Sequence, residues 1–330
     1  MLVALIQGGP SSEAEVSRAS AAGVGAALEE AGHEVARIEL SPEVGEALRA
    51  SHFDVVFPVV HGAVGEDGSL QGLLEVLGLP YVGSGVLGSA LAMNKAVARV
   101  VLAAAGCPVA RGASYVEGSA SALDTARLAR RELGRALVVK PAESGSAIGV
   151  TRLEESATDQ QLAAAIEAAW ALDDAVVVEE FLRGKEVTCG VVDLVPEGPR
   201  ALAAIEIAAP MDAFYTYEAR YAPGRSRHVC PAPLGDAQTR EVQELAVRAH
   251  RALGCRDLSR ADFIVASDRI TLLEVNTIPG MTATSLYPEA ADAAGLSFPV
   301  LCDALVRNAQ ARGPARRNEP LPLPAGQPPH

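Results

Sequence analysis

The chain has 330 residues, 49% hydrophobic and 21% charged, with a formal charge of −13 and pI near 5.0. That length supports two or three domains with their own cores, and the composition excludes a disordered chain. No run of Lys or Arg offers a nucleic-acid footprint, and the longest apolar stretch, VVLAAAGCPVA, is far too short to span a bilayer. Five scattered cysteines with no CxxC pair point to free thiols and a cytoplasmic setting.

The opening MLVALIQGG lacks a basic segment and reads as a first strand rather than an export signal. SSEAEVSRASAAGVGAALEEAG follows as a helix, with Ser11 or Ser12 as cap and Gly32 as stop. EVARIEL is a strand, EVGEALRA a helix, and DVVFPVV a strand that Pro58 confines to an end or edge. GSLQGLLEVLG is helical and PYVG a short strand, which completes a parallel α/β pattern. One helix covers about Ala90 to Ala105. ALVVKPA and IGVTRL are strands around a glycine-rich turn, TDQQLAAAIEAAWAL a helix, and AVVVEEFL a strand. Strands then dominate: EVTCGVVDL, RALAAIEIA, and, after the polar aromatic loop FYTYEARYAPGRSRH and the helix AQTREVQELAVRAHRALG, the hairpin RADFIVA and RITLLEVN. A last helix runs from about Phe298 to Gln310. The tail from Gly313 carries six prolines in 18 residues and is expected to be disordered.

The chemistry concentrates in a few stretches. In LLEVNTIPGM, Glu274 and Asn276 are two apart in an otherwise apolar strand, so they share a face. Its partner strand has Arg260 and Asp262 at the same spacing. A three-residue turn, Ser267 to Arg269, would set Asp262 opposite Glu274 and put all four side chains on one face. A one-residue slip would separate the pairs, and a bulge would restore them. Three oxygen ligands suit Mg²⁺, while an ordinary Arg260–Asp262 or Arg260–Glu274 ion pair is the plain alternative, at even odds. In VVKPAESGSAIGV, Lys140 ends a strand before a glycine-rich turn that could cover a triphosphate; an exposed lysine on an ordinary hairpin is the alternative. VVVEEFLRGKE could carry an adenine on its backbone, with Glu186 at the ribose, or be a solvated strand end. His61 opens the loop HGAVGEDGSLQG after a buried strand, where open α/β sheets place their sites. Glu15 sits in a first helical turn, where a carboxylate also complements the helix dipole. GSGVLG from Gly83 matches a dinucleotide pattern but lacks the acidic residue about 20 positions on, so it reads as an interdomain turn.

In their order these strings resemble the D-alanine–D-alanine ligases of the ATP-grasp superfamily, from about Leu2 to Ala309: EVS at Glu15, HGAVGEDGSLQG, YVGSGVLGSALAMNK, VVKPAESGSAIGV, FYTYEARY, RADF and LLEVNTIPGMTATSLYP. The resemblance implies an ATP-grasp fold of mixed α/β and α+β type. It has a Rossmann-like parallel α/β domain over 1–93, a central ATP-grasp subdomain over 94–183 and a C-terminal one over 184–312. It implies ATP-dependent joining of two D-alanines through a D-alanyl phosphate for peptidoglycan synthesis, in a cytoplasmic homodimer with no nucleic-acid or membrane partner. Asp262, Glu274 and Asn276 would hold two Mg²⁺ (or Mn²⁺), and a monovalent cation is known in some relatives. Lys95 and Lys140 would contact the ATP phosphates, Glu179, Glu180, Phe181 and Leu182 the adenine, and Glu186 the ribose. Arg260 and the Gly280 amide would form the oxyanion hole. Glu15 would hold the first D-alanine's ammonium with His61 nearby. Ser146 and Tyr221 would be its partners in closing the site. Ser285 and Leu286 would take the second carboxylate, and the loop around Tyr215 to Tyr221 would be the lid. The chain departs from the family pattern at Arg220, where a lysine is usual, and at Ser144 and Ala147 in the glycine-rich turn. The Tyr in the lid resembles the dipeptide-forming rather than the ester-forming type. An NAD-binding oxidoreductase and an inactive nucleotide-binding regulator are the readings from other classes.

Overall fold

The computed structural model describes residues 1–134, 136–208, 227–282 and 284–314. Three sheets account for its strands. The first is parallel, with β1 (Leu2–Gln7) between β2 (Glu34–Glu39) and β3 (Val55–Pro58). Pro58 ends β3 on the sheet edge, where its missing N–H breaks no ladder. Helix α1 (Ala14–Glu30) covers one face through Ala21, Val24 and Leu28. Helices α2 (Val44–Arg49) and α3 (Ser69–Leu77) follow β2 and β3, and the expected strand at PYVG is a single bridge between Val56 and Tyr81.

The single helix expected around Ala90 to Ala105 is two, α4 (Val86–Met93) and α5 (Lys95–Ala104), bent by 104°. Asn94 makes the break: its backbone is extended and its side chain caps α5 by accepting from the Val97 amide at 3.0 Å. Among the described residues no single helix is long and apolar enough to cross a membrane.

The second sheet is antiparallel, in the order β4 (Gly112–Val116), β7 (Ala175–Glu180), β5 (Leu137–Pro141), β6 (Thr151–Leu153). It is backed by α6 (Ala122–Leu133) and α7 (Asp159–Trp170), whose Ala126, Ala129, Leu162 and Ile166 pack on Val139 and Val176. Thr158 and Gln161 close a reciprocal cap at the start of α7. The third sheet has the order β10 (Arg227–Val229), β9 (Gly198–Ala208), β8 (Lys185–Leu194), β11 (Asp257–Val265), β12 (Ile270–Asn276), and α8 (Asp236–Ala252) packs on it. Short α9 (Leu286–Ala293) and the final α10 (Phe298–Arg312) complete the chain.

Helix α10 belongs by sequence to the last segment, yet it packs on the first sheet. Its Leu301, Leu305 and Val306 are fully buried in one cluster with Val3, Leu28 and Phe57. Burial of such side chains contributes about 1.5–3 kcal/mol each, so this helix fastens the first and third sheets together. A polar knot does the same nearby. Asp257, 1% exposed with φ of 61°, accepts from the Gly83 amide at 2.7 Å, from Asn308 Nδ2 at 2.8 Å and from Arg312 Nη2 at 2.9 Å. The GSGVLG turn thus docks onto the third sheet. A Cβ on Gly88 would stand 2.7 Å from the Gly254 carbonyl, so its glycines serve close packing.

Candidate active site

One cleft opens between the three sheets, and its lining includes Glu13, His61, Glu66, Lys95, Ser146, Arg260, Asp262, Glu274, Asn276, Gly280, Ser285 and Leu286. Its floor is the β11–β12 hairpin. The strands pair from Val265 with Ile270, one residue out of the register expected from a three-residue turn. A bulge between Asp262 and Phe263 then absorbs Leu273, so that Asp262 faces Glu274 and Arg260 faces Asn276. The bulge has a second effect. Leu272 lands opposite Phe263 in the core, both at most 1% exposed, while Glu274 and Asn276 turn to the cleft.

The Arg260–Asp262 ion pair weighed from sequence occurs, and Asp262, Glu274 and Asn276 line the same cleft. Arg260 Nε and Nη2 each lie 2.9 Å from the two Asp262 carboxylate oxygens, and Thr188 Oγ1 donates to the same group at 2.6 Å. Lys95 Nζ reaches the Ser144 carbonyl at 2.5 Å and stands 3.9 Å from Glu274. Asn276 Oδ1 accepts from the Ile278 amide at 2.9 Å, which starts the turn toward Gly280. The convergent donors are oxygens only, two carboxylates and a carboxamide. That set fits a hard divalent cation completed by water and phosphate oxygens, and does not suit a soft metal.

The opposite wall comes from the first sheet, and it shifts one expected position. Glu15 points to solvent, its side chain 87% exposed, and pairs with Arg18. The carboxylate in the cleft is Glu13, 6% exposed, hydrogen-bonded by Ser146 Oγ from the glycine-rich turn. The reason is helical phase. Leu28, Val24, Ser20 and Ser17 form the buried face of α1, and four residues back from Ser17 is Glu13. Glu13 itself occupies the N-cap, and Ser11, one of the expected caps, instead donates to the His61 carbonyl at 2.8 Å. Ser146 and Ala147 both have left-handed backbones, φ of 49° and 58°, a local cost at the turn that carries the Ser146–Glu13 bridge.

Two titratable groups lie beneath Glu13. Burial pushes the His61 imidazole down to about 4, helped by Arg260 and opposed by the Ile278 backbone. Burial pushes Glu66 up to about 8; the Glu13 charge adds to this, while the Gly62 amide at 2.7 Å, Ile278 and Arg260 oppose it. At neutral pH the imidazole is uncharged and Glu66 holds its proton. Glu66 was not singled out in the sequence; an acid inside a glycine-rich loop after a buried strand was the available signal.

Gly280 and Ser285 form the far end. A Cβ on Gly280 would meet Ser285 Oγ at 2.9 Å, and Ser285 Oγ accepts from the Thr282 amide at 3.0 Å. Ser285 is the N-cap of α9, so the partly positive first turn of that helix faces the cleft with Leu286. Apart from Lys95, the residues expected at the nucleotide lie on or just after β5, β7 and β8 and are not among the lining of this cleft. Lys140 on β5 pairs with Glu179 on β7, which is 8% exposed. Glu180 Oε1 accepts from the Arg111 amide at 3.2 Å, Phe181 is covered by the Arg152 guanidinium at 4.0 Å, Leu182 is buried, and Glu186 lies opposite Ile264 on β8. Arg220, Tyr221 and the rest of the expected lid, with the tail from residue 315, lie outside the described residues.

Two antiparallel sheets joined to a parallel α/β unit, with a cleft lined from all three, define the ATP-grasp class. Residues 41–84 match the family model described as D-ala D-ala ligase N-terminus, and 101–307 match the D-ala D-ala ligase C-terminus. The D-alanine–D-alanine ligase of Desulforudis audaxviator is 45% identical over 311 residues, 94% of this chain and 99% of that protein. The ATP complex of the Bacillus anthracis D-alanine–D-alanine ligase superposes with a TM-score of 0.78 at 28% identity, covering 94% of this chain and 98% of that one. The VanG D-Ala:D-Ser ligase of Enterococcus faecalis gives 0.79 at 30%, with 93% and 99% covered. The chain belongs to the D-alanine–D-alanine ligase family.

Proposed function

We propose that this chain joins two D-alanines at the expense of ATP, for cell-wall synthesis in the cytoplasm. The observation that carries this reading is the convergence of side chains from all three sheets' segments, Glu13, Ser146, Asp262 with Glu274 and Asn276, and Ser285, on one cleft. Glu13 holds the ammonium of the first D-alanine, with Ser146 and neutral Glu66 fixing the carboxylate. The first carboxylate attacks the γ-phosphate and yields an acyl phosphate, and the second D-alanine's amine then displaces phosphate. Such phosphoryl transfer depends on alignment and charge neutralisation. Arg260 and the Gly280 amide face the developing oxyanion, and Arg260 is held in place by its two contacts to Asp262. Ser285 and the first turn of α9 bind the second carboxylate. Lys95 and Lys140 contact the ATP phosphates, with the adenine along Glu179 to Leu182 and the ribose at Glu186. Asp262, Glu274 and Asn276 would hold Mg²⁺ or Mn²⁺, which when bound neutralises phosphate charge. Arg220 and Tyr221 carry the lid, which keeps water from the acyl phosphate.

The test is mass spectrometry of products from ATP, Mg²⁺ and D-alanine, with L-alanine and D-lactate as alternatives. The expected product is D-alanyl-D-alanine with one ADP and one phosphate. ATP hydrolysis without dipeptide, or an ester as the main product, would overturn the reading.

A further inference from the structure

The VanG D-Ala:D-Ser ligase of Enterococcus faecalis shares this fold, so the second acceptor differs among proteins of one architecture. What sets it here is a wall made by β9, β10 and α9. His228 on β10 pairs across the ladder with Ile207 on β9, and both line the cleft. Ile207, 5% exposed, packs on Leu286, the first residue of α9. His228 Nδ1 lies 3.2 Å from Glu289 Oε2, one turn along the same helix. The imidazole is therefore tied to the first turn of α9.

The geometry of the reaction leaves the acceptor's side chain few places to go. Its carboxylate sits at Ser285 and its amine faces Gly280 and Arg260. The flank toward Glu13 and His61 is taken by the first D-alanine. Ile207, Leu286 and His228 are lining residues outside those assigned to the first D-alanine, the second carboxylate and the oxyanion. We propose that His228, held by the positioning residue Glu289, closes the side-chain wall of the second amino-acid subsite and restricts the acceptor to small D-amino acids. This rests on the ligase reading above.

A fitted apolar wall distinguishes one methylene by roughly 10- to 200-fold. The test supplies ATP, Mg²⁺ and an equal mixture of D-alanine and D-2-aminobutyrate, and sequences the dipeptides by tandem mass spectrometry, which reads the two positions separately. For H228A the share of dipeptides with C-terminal aminobutyrate should rise about 10-fold or more, with the N-terminal residue unchanged. E289A, a milder change on a partly exposed helix, should move the C-terminal ratio the same way by less. E289Q, whose amide oxygen still accepts from Nδ1, should keep the parent ratio. An unchanged C-terminal ratio in H228A and E289A, or aminobutyrate gained at the N-terminal position instead, overturns the proposal while leaving the ligase reading intact. If the unaltered chain makes no dipeptide, the ligase reading falls and takes this proposal with it.

Discussion

The two walls of the cleft are built on different principles. The β11–β12 floor gathers Arg260, Asp262, Glu274 and Asn276 within one hairpin, where strand periodicity and register fix which groups meet. The opposite wall gathers Glu13, His61, Glu66 and Ser146 from an N-cap, a loop and a turn that are far apart in the chain. Chemistry housed in paired strands is stated in the sequence at two-residue spacing. Chemistry assembled from separate loops depends on burial, and there a misjudged phase of one helix exchanges an active carboxylate for a surface one.

The largest effect should come from the floor. Glu274→Gln keeps the size and most of the shape of the side chain but removes a charge opposite Asp262. Loss of turnover by at least about 10³-fold is expected in a coupled ADP-release assay, with the far-ultraviolet circular dichroism spectrum retained. Near-normal turnover would dissolve the contrast by removing the floor's role.

The next effect separates two glutamates two residues apart. Glu13→Gln should lower kcat/KM for D-alanine by about 10²-fold or more, whereas Glu15→Gln should change it by less than about twofold. The reverse order would return the ammonium site to the surface position beside Arg18.

The smallest effect is on stability and sharpens the account of the loop wall. Glu66 has a proton affinity near 8 in the folded chain against an ordinary 4.5, so folding takes up a proton between those values. Stability should therefore fall as pH rises from about 4.5 toward about 8 and level off above it. In Glu66→Gln that contribution to the slope of Tm against pH should vanish, read by differential scanning calorimetry between pH 5 and 8. An identical slope in both proteins would contradict a protonated Glu66.

The sequence made most of the scaffold legible where apolar periodicity was strong. β1, β3 and β7 are nearly continuous apolar runs, and the α1, α7 and α8 helices appear within a few residues of their expected limits. β4 was not read because it is a half-buried edge strand, GASYV, with no fully buried position. α6 is arginine-rich, and α9 carries Pro288, which is tolerated in a first turn but looks like a breaker. The break between α4 and α5 was marked by Asn94, a good N-cap inside an apolar stretch. In the site, the floor was legible down to its facing residues, although two offsets, a turn one residue longer than expected and the bulge at Leu273, had to cancel to produce it. Glu66 and His228 escaped because their partners, Glu13 and the Ile278 backbone for the first and Glu289 for the second, come from other parts of the chain.

The central claim is that the first D-alanine's carboxylate oxygen attacks the terminal phosphoryl of ATP in this cleft. D-alanine labelled with ¹⁸O in its carboxyl group tests it most directly, because the attacking oxygen leaves with phosphate when the second amine closes the amide. Mass analysis should find one ¹⁸O in each phosphate released with dipeptide, and Glu274→Gln should release almost none. Dipeptide formed with unlabelled phosphate would contradict the account.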